Sequence, residues 1–433
     1  MSYRDIIILG AGIAGISAGY HLSLKGKKSI IIEKRKRWGG LCDNFEVGDF
    51  RFDYCVHLSF TNNKYVKELF AKSSKYYKYQ PLSYNYSNGY WAKHPLQTNL
   101  FYLPIKEKIN IIKDFIKTEH MFSQGSINNF ENWLINQYGY YFYKNYPLKY
   151  TKKYWTLHPK DMSVSWIGNR MYKATIDEIL FGAMTDKTPN NYYANEMRYP
   201  KAGGYKSFLT EMVKTCDIQT NKKVVEIDLK NKKLLFGDGN FGYFETLISS
   251  LPLPELIKII KEAPNYVRDA SKNLLYSTVH LVSLGFNRKD IAKYLWFYIY
   301  DENILPARAY SPNLKSPDNV PKSCSSLQFE IYSSRRRPLG MSGDNLLNHV
   351  IEKGLKMNLF SKKDIKVSDY KKVDYGNVIF NHNIQKNRKI VHDYLDKNGI
   401  NYIGRFGNWD YLWSDQSLMT GKSIIEKILR YIY

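Results

Sequence analysis

Asp5-Ile-Ile-Ile-Leu-Gly10-Ala-Gly12-Ile-Ala-Gly15 is the stretch on which the reading of this chain turns. Four apolar residues run straight into a Gly-x-Gly-x-x-Gly turn. A helical pattern follows, and then a second apolar run, Ser29-Ile-Ile-Ile-Glu33. Strand, glycine turn, helix and a second strand ending in an acid make one dinucleotide-binding unit. Gly10 permits the tight turn, Gly12 lets the backbone approach a pyrophosphate, and Gly15 lets helix and strand pack closely. Ala14 lies in the first helical turn, whose free N–H groups and partial positive charge suit an anion. Glu33 stands where an acid binds ribose hydroxyls.

Working outward, the chain has 433 residues, enough for two or three domains with a large core. Hydrophobic content of 44% and charged content of 24% are those of a globular protein. No apolar run approaches the roughly 18 residues needed to span a bilayer, so no transmembrane segment is expected. The first apolar stretch is too short for a signal peptide and runs into glycines. Cys42, Cys55, Cys216 and Cys324 show no metal-type spacing and read as reduced thiols of a cytoplasmic protein. No metal-ligand cluster and no Ser-His-Asp or Cys-His arrangement stands out.

The net charge is +24, from 64 Lys and Arg against 40 Asp and Glu. Such a charge attracts anions, whether a nucleotide, a nucleic acid or an acidic membrane surface. The lysines are scattered, however, and Lys, Asn, Ile and Tyr are abundant together, which reads as codon bias. No helix-turn-helix, zinc-finger or RNA-binding signature appears, so nucleic acid is not expected as a partner. A peripheral association with anionic lipid is left open.

Periodicity gives the organisation. From about 104 to 190 the pattern is helical, with helices expected at Ile105 to Glu119, Ile127 to Tyr138 and Ile176 to Met184. Lys222 to Asp228 and Lys232 to Phe236 read as paired strands, and Glu245 to Pro252 as a buried parallel strand. Ser277 to Phe286 and Leu295 to Tyr300 suggest a separate antiparallel sheet. Ile400 to Gly407 followed by a helix from Ser417 to Ile432 closes the nucleotide domain. The expected fold is therefore α/β, a discontinuous Rossmann-like domain with a helical insertion and an antiparallel sheet insertion. Its cofactor-binding parts are expected at 1–75, 199–260 and 371–433. The mainly helical insertion is expected at 76–198 and the substrate sheet at 261–370.

Arg37-Trp38-Gly39-Gly40, with Leu41 behind it, resembles a segment of flavoprotein oxidoreductases that follows the second strand, and so points to FAD. Further segments follow, of which the two that bear arginines and the Gly-Arg-Phe-Gly loop are the more specific. The first are Phe52-Asp53-Tyr54-Cys55-Val56-His57, His94-Pro95-Leu96-Gln97-Thr98-Asn99, Tyr150-Thr151-Lys152-Lys153-Tyr154-Trp155 and Trp166-Ile167-Gly168-Asn169-Arg170. Three more follow: Trp296-Phe297-Tyr298 with Arg308 ten residues on, Gly404-Arg405-Phe406-Gly407-Asn408-Trp409-Asp410-Tyr411, and Asp415-Gln416-Ser417. In this order they resemble the UDP-galactopyranose mutases over most of the chain.

The resemblance implies a mechanism. Reduced FAD attacks the anomeric carbon of a nucleotide sugar through N5, the diphosphate leaves, the adduct opens, and the ring closes in its furanose form before the diphosphate returns. NADPH or NADH is the implied reductant, and surface polysaccharide synthesis the implied setting. Arg170 and Arg308 would hold the leaving diphosphate through bidentate forks, with Tyr298 and Tyr411 donating to the same oxygens. Gln97, Asn99, Thr151 and Trp155 would hold the nucleotide. His57 would sit beside the flavin, with Arg405, Asp415, Gln416 and Ser417 near its ring or diphosphate and Val224 and Val225 at the adenine. His94 and Thr151 depart from the family pattern, and Tyr375-Gly376-Asn377-Val378 matches its tyrosine-bearing diphosphate segment only loosely, which leaves the sugar and the nucleotide open. Two rival readings stand beside this one: an FAD-dependent oxidoreductase of the amine-oxidase or protoporphyrinogen-oxidase kind, and a non-catalytic flavin-binding partner of a polysaccharide assembly. The oligomeric state is open.

Overall fold

The computed structural model of the chain describes residues 6–80, 82–121, 127–190 and 196–430. Asp5 and the last residues of the expected closing helix lie outside them.

Three isoleucines and a leucine make Ile6–Leu9 a strand with almost no water contact, which only a central position in a covered sheet provides. It pairs in parallel with Ser29–Ile32 on one side and Thr246–Ser249 on the other. Ile400–Tyr402 and Asp217–Gln219 extend the sheet outward, again in parallel, to five strands. Helix Ile13–Ser23 crosses over this sheet and packs on the last helix, Ser414–Arg430, where the Ser17 hydroxyl donates to the Leu418 carbonyl at 2.7 Å. This is the Rossmann-like domain read from the sequence, and it is discontinuous as expected.

A second sheet has seven strands, in the order Ile365–Val378, Tyr276–Phe286, Ser325–Ser333, Arg308–Tyr310, Trp296–Ile299, Ser83–Ser87 and Tyr90–Lys93. All its pairs are antiparallel except that between Trp296–Ile299 and Ser83–Ser87. Strand Ser325–Ser333 is buried along its whole length. A small antiparallel sheet, Val224–Asp228, Lys233–Phe236 and Phe241–Tyr243, lies apart. Helices Ile105–Met121, Phe130–Tyr138, Tyr140–Asn145, Pro147–Tyr154 and Ile176–Met184 form the helical part.

Several boundaries differ from expectation. The segment 76–198 is not only helical: two of its strands, Ser83–Ser87 and Tyr90–Lys93, complete the seven-stranded sheet, because the parallel pairing that recruits them is invisible to local periodicity. Strand Ile365–Val378 runs through the expected boundary at 370. The helix expected from Ile127 begins at Phe130, because the Asn129 side chain accepts from the Asn132 amide at 2.8 Å and caps it. The closing helix begins at Ser414 rather than Ser417.

Candidate active site

A cleft of about 660 Å3 runs between the C-terminal ends of the parallel strands and one face of the seven-stranded sheet. Gly10, Glu33, Ser250 and Gly404, each just beyond a parallel strand, form one wall, the usual ligand position in such folds. Gly10 has φ of +93°, which directs the chain from strand into helix. A Cβ on Gly15 would lie 2.0 Å from the Gly10 carbonyl oxygen, whereas one on Gly12 would meet nothing within 4 Å. The open side of Gly12, at the N-terminus of an 11-residue helix without a side-chain cap, is therefore room for a ligand. The Gly39 amide donates to the Ala11 carbonyl at 2.8 Å, which brings Gly40, Leu41 and Ala14 into the same wall.

Glu33 is buried. Its Oε2 accepts from the Ala11 amide at 2.9 Å and its Oε1 from the Arg35 amide at 2.8 Å. These bonds fix the carboxylate and leave acceptor capacity for hydroxyls. The donor set, the acid and the open glycine fit a dinucleotide.

The other end of the cleft is made of side chains. Arg308, Trp296 and Tyr298 come from adjacent strands, Tyr154 from the end of helix Pro147–Tyr154, Tyr332 from the buried strand, and Tyr411 and Trp413 from the loop before the last helix. Arg308 Nε donates to Glu330 Oε2, and the Tyr332 hydroxyl donates to the same oxygen. Glu330 Oε1 accepts from the Val56 amide at 2.7 Å. Burial works against the Arg308 charge, but the fully buried Glu330 carboxylate together with Tyr332, Tyr154 and Tyr150 more than reverses that, so the guanidinium stays protonated. Burial pushes the phenols of Tyr154 and Tyr332 well above their ordinary range, so they remain neutral hydrogen-bond donors. The Tyr154 and Tyr411 hydroxyls are 3.4 Å apart.

His57 lines the cleft between the two ends. Burial pushes its pKa down to about 4, so it is neutral at pH 7. Its Nδ1 lies 3.2 Å from the Cys55 carbonyl, which only accepts; Nδ1 therefore carries the proton and Nε2 is an acceptor. The segment below it is anchored by Asp53, whose Oδ2 accepts from Lys315 Nζ at 2.6 Å and from the Tyr199 hydroxyl at 2.7 Å, all buried. Arg405 also lines the cleft, its Nε donating to the Leu412 carbonyl at 2.7 Å. Asp415 and Ser417 line it as well.

Seven expected site residues lie elsewhere. Arg170 does not line the cleft. It donates to the Tyr411 carbonyl and stacks 4.6 Å and 4.5 Å from the Tyr411 and Trp413 rings, clamping the loop from behind. Trp155 is buried among Trp166, Tyr411 and Phe380, which is core packing. Asn99 is consumed internally: its Nδ2 donates to the Pro95 carbonyl at 2.7 Å and its Oδ1 accepts from Thr188. Thr151 is buried inside its helix, and Gln97 does not reach the cleft. Gln416 turns to the outer side, accepting from the Trp413 amide at 2.9 Å. Of the two valines expected at the adenine, Val224 lines the cleft and Val225 points away, since successive strand residues face opposite ways.

Tyr276, Tyr332 and Glu330 were not singled out from the sequence, whereas Tyr154 and Tyr375 stood inside segments compared with the family, without a role given to Tyr154. Glu330 had a signal: a lone charge within Ser325-Ser-Leu-Gln-Phe-Glu-Ile-Tyr-Ser has no water to face unless a cation joins it. Tyr276 and Tyr332, two among 38 tyrosines, had none.

Comparison with known proteins bears on this geometry. The profile of the NAD(P)-binding Rossmann-like domain matches residues 8–73. An inactive all-trans-retinol 13,14-reductase of Danio rerio is 43% identical over 49 residues, 11% of this chain and 8% of that protein. A 4,4'-diapophytoene desaturase of Staphylococcus haemolyticus is 28% identical over 141 residues, 31% of this chain and 26% of that one. The chain thus spans well under two thirds of these curated relatives. Among solved structures, a reduced UDP-galactopyranose mutase superposes with a TM-score of 0.92 at 22% identity, over 99% of this chain and 96% of that one. The chain has the UDP-galactopyranose mutase fold. Proteins named as oxidases share much of it: a putative protoporphyrinogen oxidase from Exiguobacterium superposes at 0.76 and 14% identity over 99% of both chains, and a putrescine oxidase at 0.66 and 13% over 99% of both. No helix among the described residues is long and apolar enough to cross a membrane.

Proposed function

We propose that this protein is a flavin-dependent nucleotide-sugar mutase that interconverts pyranose and furanose forms, with UDP-galactose as the first substrate to test. The carrying observation is Arg308, held charged by Glu330 among neutral tyrosine hydroxyls, in the same cleft as the dinucleotide cradle. A flavin oxidoreductase has no need of such an anion seat.

FAD would lie with its diphosphate at Gly12 and its ribose at Glu33. Bound and reduced, it would supply the nucleophile for the anomeric carbon. NADPH or NADH is the expected reductant. Everything else falls to the chain. Arg308 and the hydroxyls of Tyr154, Tyr298, Tyr332 and Tyr411 hold the diphosphate as it gains charge, and because they are fixed beforehand they need no reorganisation. Phe60, Trp296 and Trp413 keep water from the reacting carbon. His57 offers Nε2 as an acceptor, which suits a reduced cofactor that carries an N–H. Arg170 acts through Tyr411 and Trp413, holding their loop.

The test is product chromatography after incubation with UDP-galactofuranose, with and without dithionite. Conversion to the pyranose only under reduction supports the proposal. Turnover that consumes oxygen with an amine or another reduced substrate would make the protein an oxidoreductase instead.

A further inference from the structure

Helix Ile105–Met121 leaves an apolar face uncovered. Ile105 is 73% exposed, Ile109 55% and Ile116 41%, and Ile112 lies in the same groove. The spacing i, i+4, i+7, i+11 puts all four on one stripe. Lys108 Nζ donates to the carbonyls of Phe101 and Ala183, and the Tyr102 hydroxyl donates to Asp186, so the end of helix Ile176–Met184 lies beside this helix's start. That end adds Met184, 75% exposed.

The charges on the helix are sorted. Lys106, Lys113 and Lys117, at i, i+7 and i+11, form an exposed second row beside the isoleucines. Its two acids before Thr118 turn inward, Glu107 accepting from the Tyr146 hydroxyl and Asp114 from the Tyr141 amide. Among the described side chains, which do not include Glu119, no carboxylate pairs with the three lysines. An apolar stripe with a cationic flank is the pattern of a helix lying in a lipid interface.

We propose that this helix docks the protein on an anionic lipid surface, the isoleucines entering the acyl boundary and the lysines meeting the headgroups. Charge decides between occupants. A second copy laid face to face would bring lysine rows of like sign together, whereas a negative leaflet complements them, and the chain's net charge of +24 acts in the same sense.

The test is co-sedimentation of the cofactor-loaded protein with vesicles of phosphatidylcholine alone or mixed with phosphatidylglycerol. Binding should require the anionic lipid and weaken with salt. Ile109→Glu/Ile116→Glu and Lys113→Glu/Lys117→Glu should each lower vesicle affinity at least about tenfold, with bound cofactor and basal turnover unchanged. All four side chains are on the surface, so the variants should fold, and retained cofactor absorbance verifies it. Wild-type protein that ignores anionic vesicles, or variants that bind as well as wild type, would overturn the proposal. So would sedimentation velocity showing a dimer that Ile109→Glu/Ile116→Glu dissociates, which would assign the face to a second copy.

Discussion

At the Gly12 end of the cleft the wall is mostly backbone, from the turns just beyond the parallel strands, and a ligand there meets amide hydrogens, an empty Cβ position and the Glu33 carboxylate. At the Arg308 end the wall is side chains from five separate elements, held by a buried carboxylate that none of those neighbours could replace. The first end depends on φ angles and close approach, which glycine alone satisfies. The second depends on which of many arginines and tyrosines long-range pairing brings together. The two ends should therefore fail in different ways.

The sharpest separation comes from Gly12→Val. Its side chain would enter the space for the diphosphate while leaving the glycine turn and the rest of the fold in place, so the protein should purify colourless, without turnover but with normal circular dichroism. A fully flavinated variant would break the assignment of this end. Arg308→Ala should keep the yellow colour and lose turnover by roughly 10^2–10^3-fold, as for removal of a donor to developing charge. It also leaves Glu330 buried without its cation, so Arg308→Lys is the companion: charge kept, fork lost, an intermediate rate. Unchanged turnover in both would remove the arginine from the mechanism.

Arg170→Ala sharpens the contrast within the second end. Because Arg170 reaches the cleft only through the Tyr411 to Trp413 loop, its loss should cost less than a tenth of what Arg308→Ala costs, and the kcat ratio of the two variants checks this. Asn99→Ala should leave KM unaltered and lower unfolding stability by about 1–3 kcal/mol, since the Pro95 carbonyl loses its shortest hydrogen bond and the Thr188 hydroxyl its acceptor. A raised KM with intact stability would return Asn99 to the substrate.

The smallest effect is one of pH. Burial depresses His57 and His94 from 6.5 to about 4. The unfolded chain then binds more protons between those values, so this stability is fully present above about pH 6.5 and is lost as pH falls toward 4. Thermal melting at graded pH should show that decline, and His57→Gln should flatten part of it. A curve equally steep in the variant would remove His57 as a source.

The cradle was legible because each of its requirements is local. Helix Ile176–Met184 was legible to the residue, since Thr175 and Glu178 form a capping box visible in the sequence. The second end was legible in part: Arg308, Tyr298, Tyr411, His57 and Arg405 reach the cleft as expected, whereas Arg170, Trp155, Asn99 and Gln97 do not. Of Val224 and Val225 only the first lines the cleft, because one residue on a strand is the whole difference between two faces.

The sequence by itself determined the parallel sheet, the glycine cradle with its acid, and the discontinuous plan, because strand burial, turn conformation and helix capping are set by neighbours along the chain. Only the tertiary structure decided that Ser83–Ser87 joins Trp296–Ile299, that Glu330 holds Arg308, and that Arg170 stands behind the wall rather than in it. Those outcomes depend on contacts between residues tens to hundreds of positions apart, and a charged or aromatic side chain carries the same letter whether it faces a cleft or braces its wall.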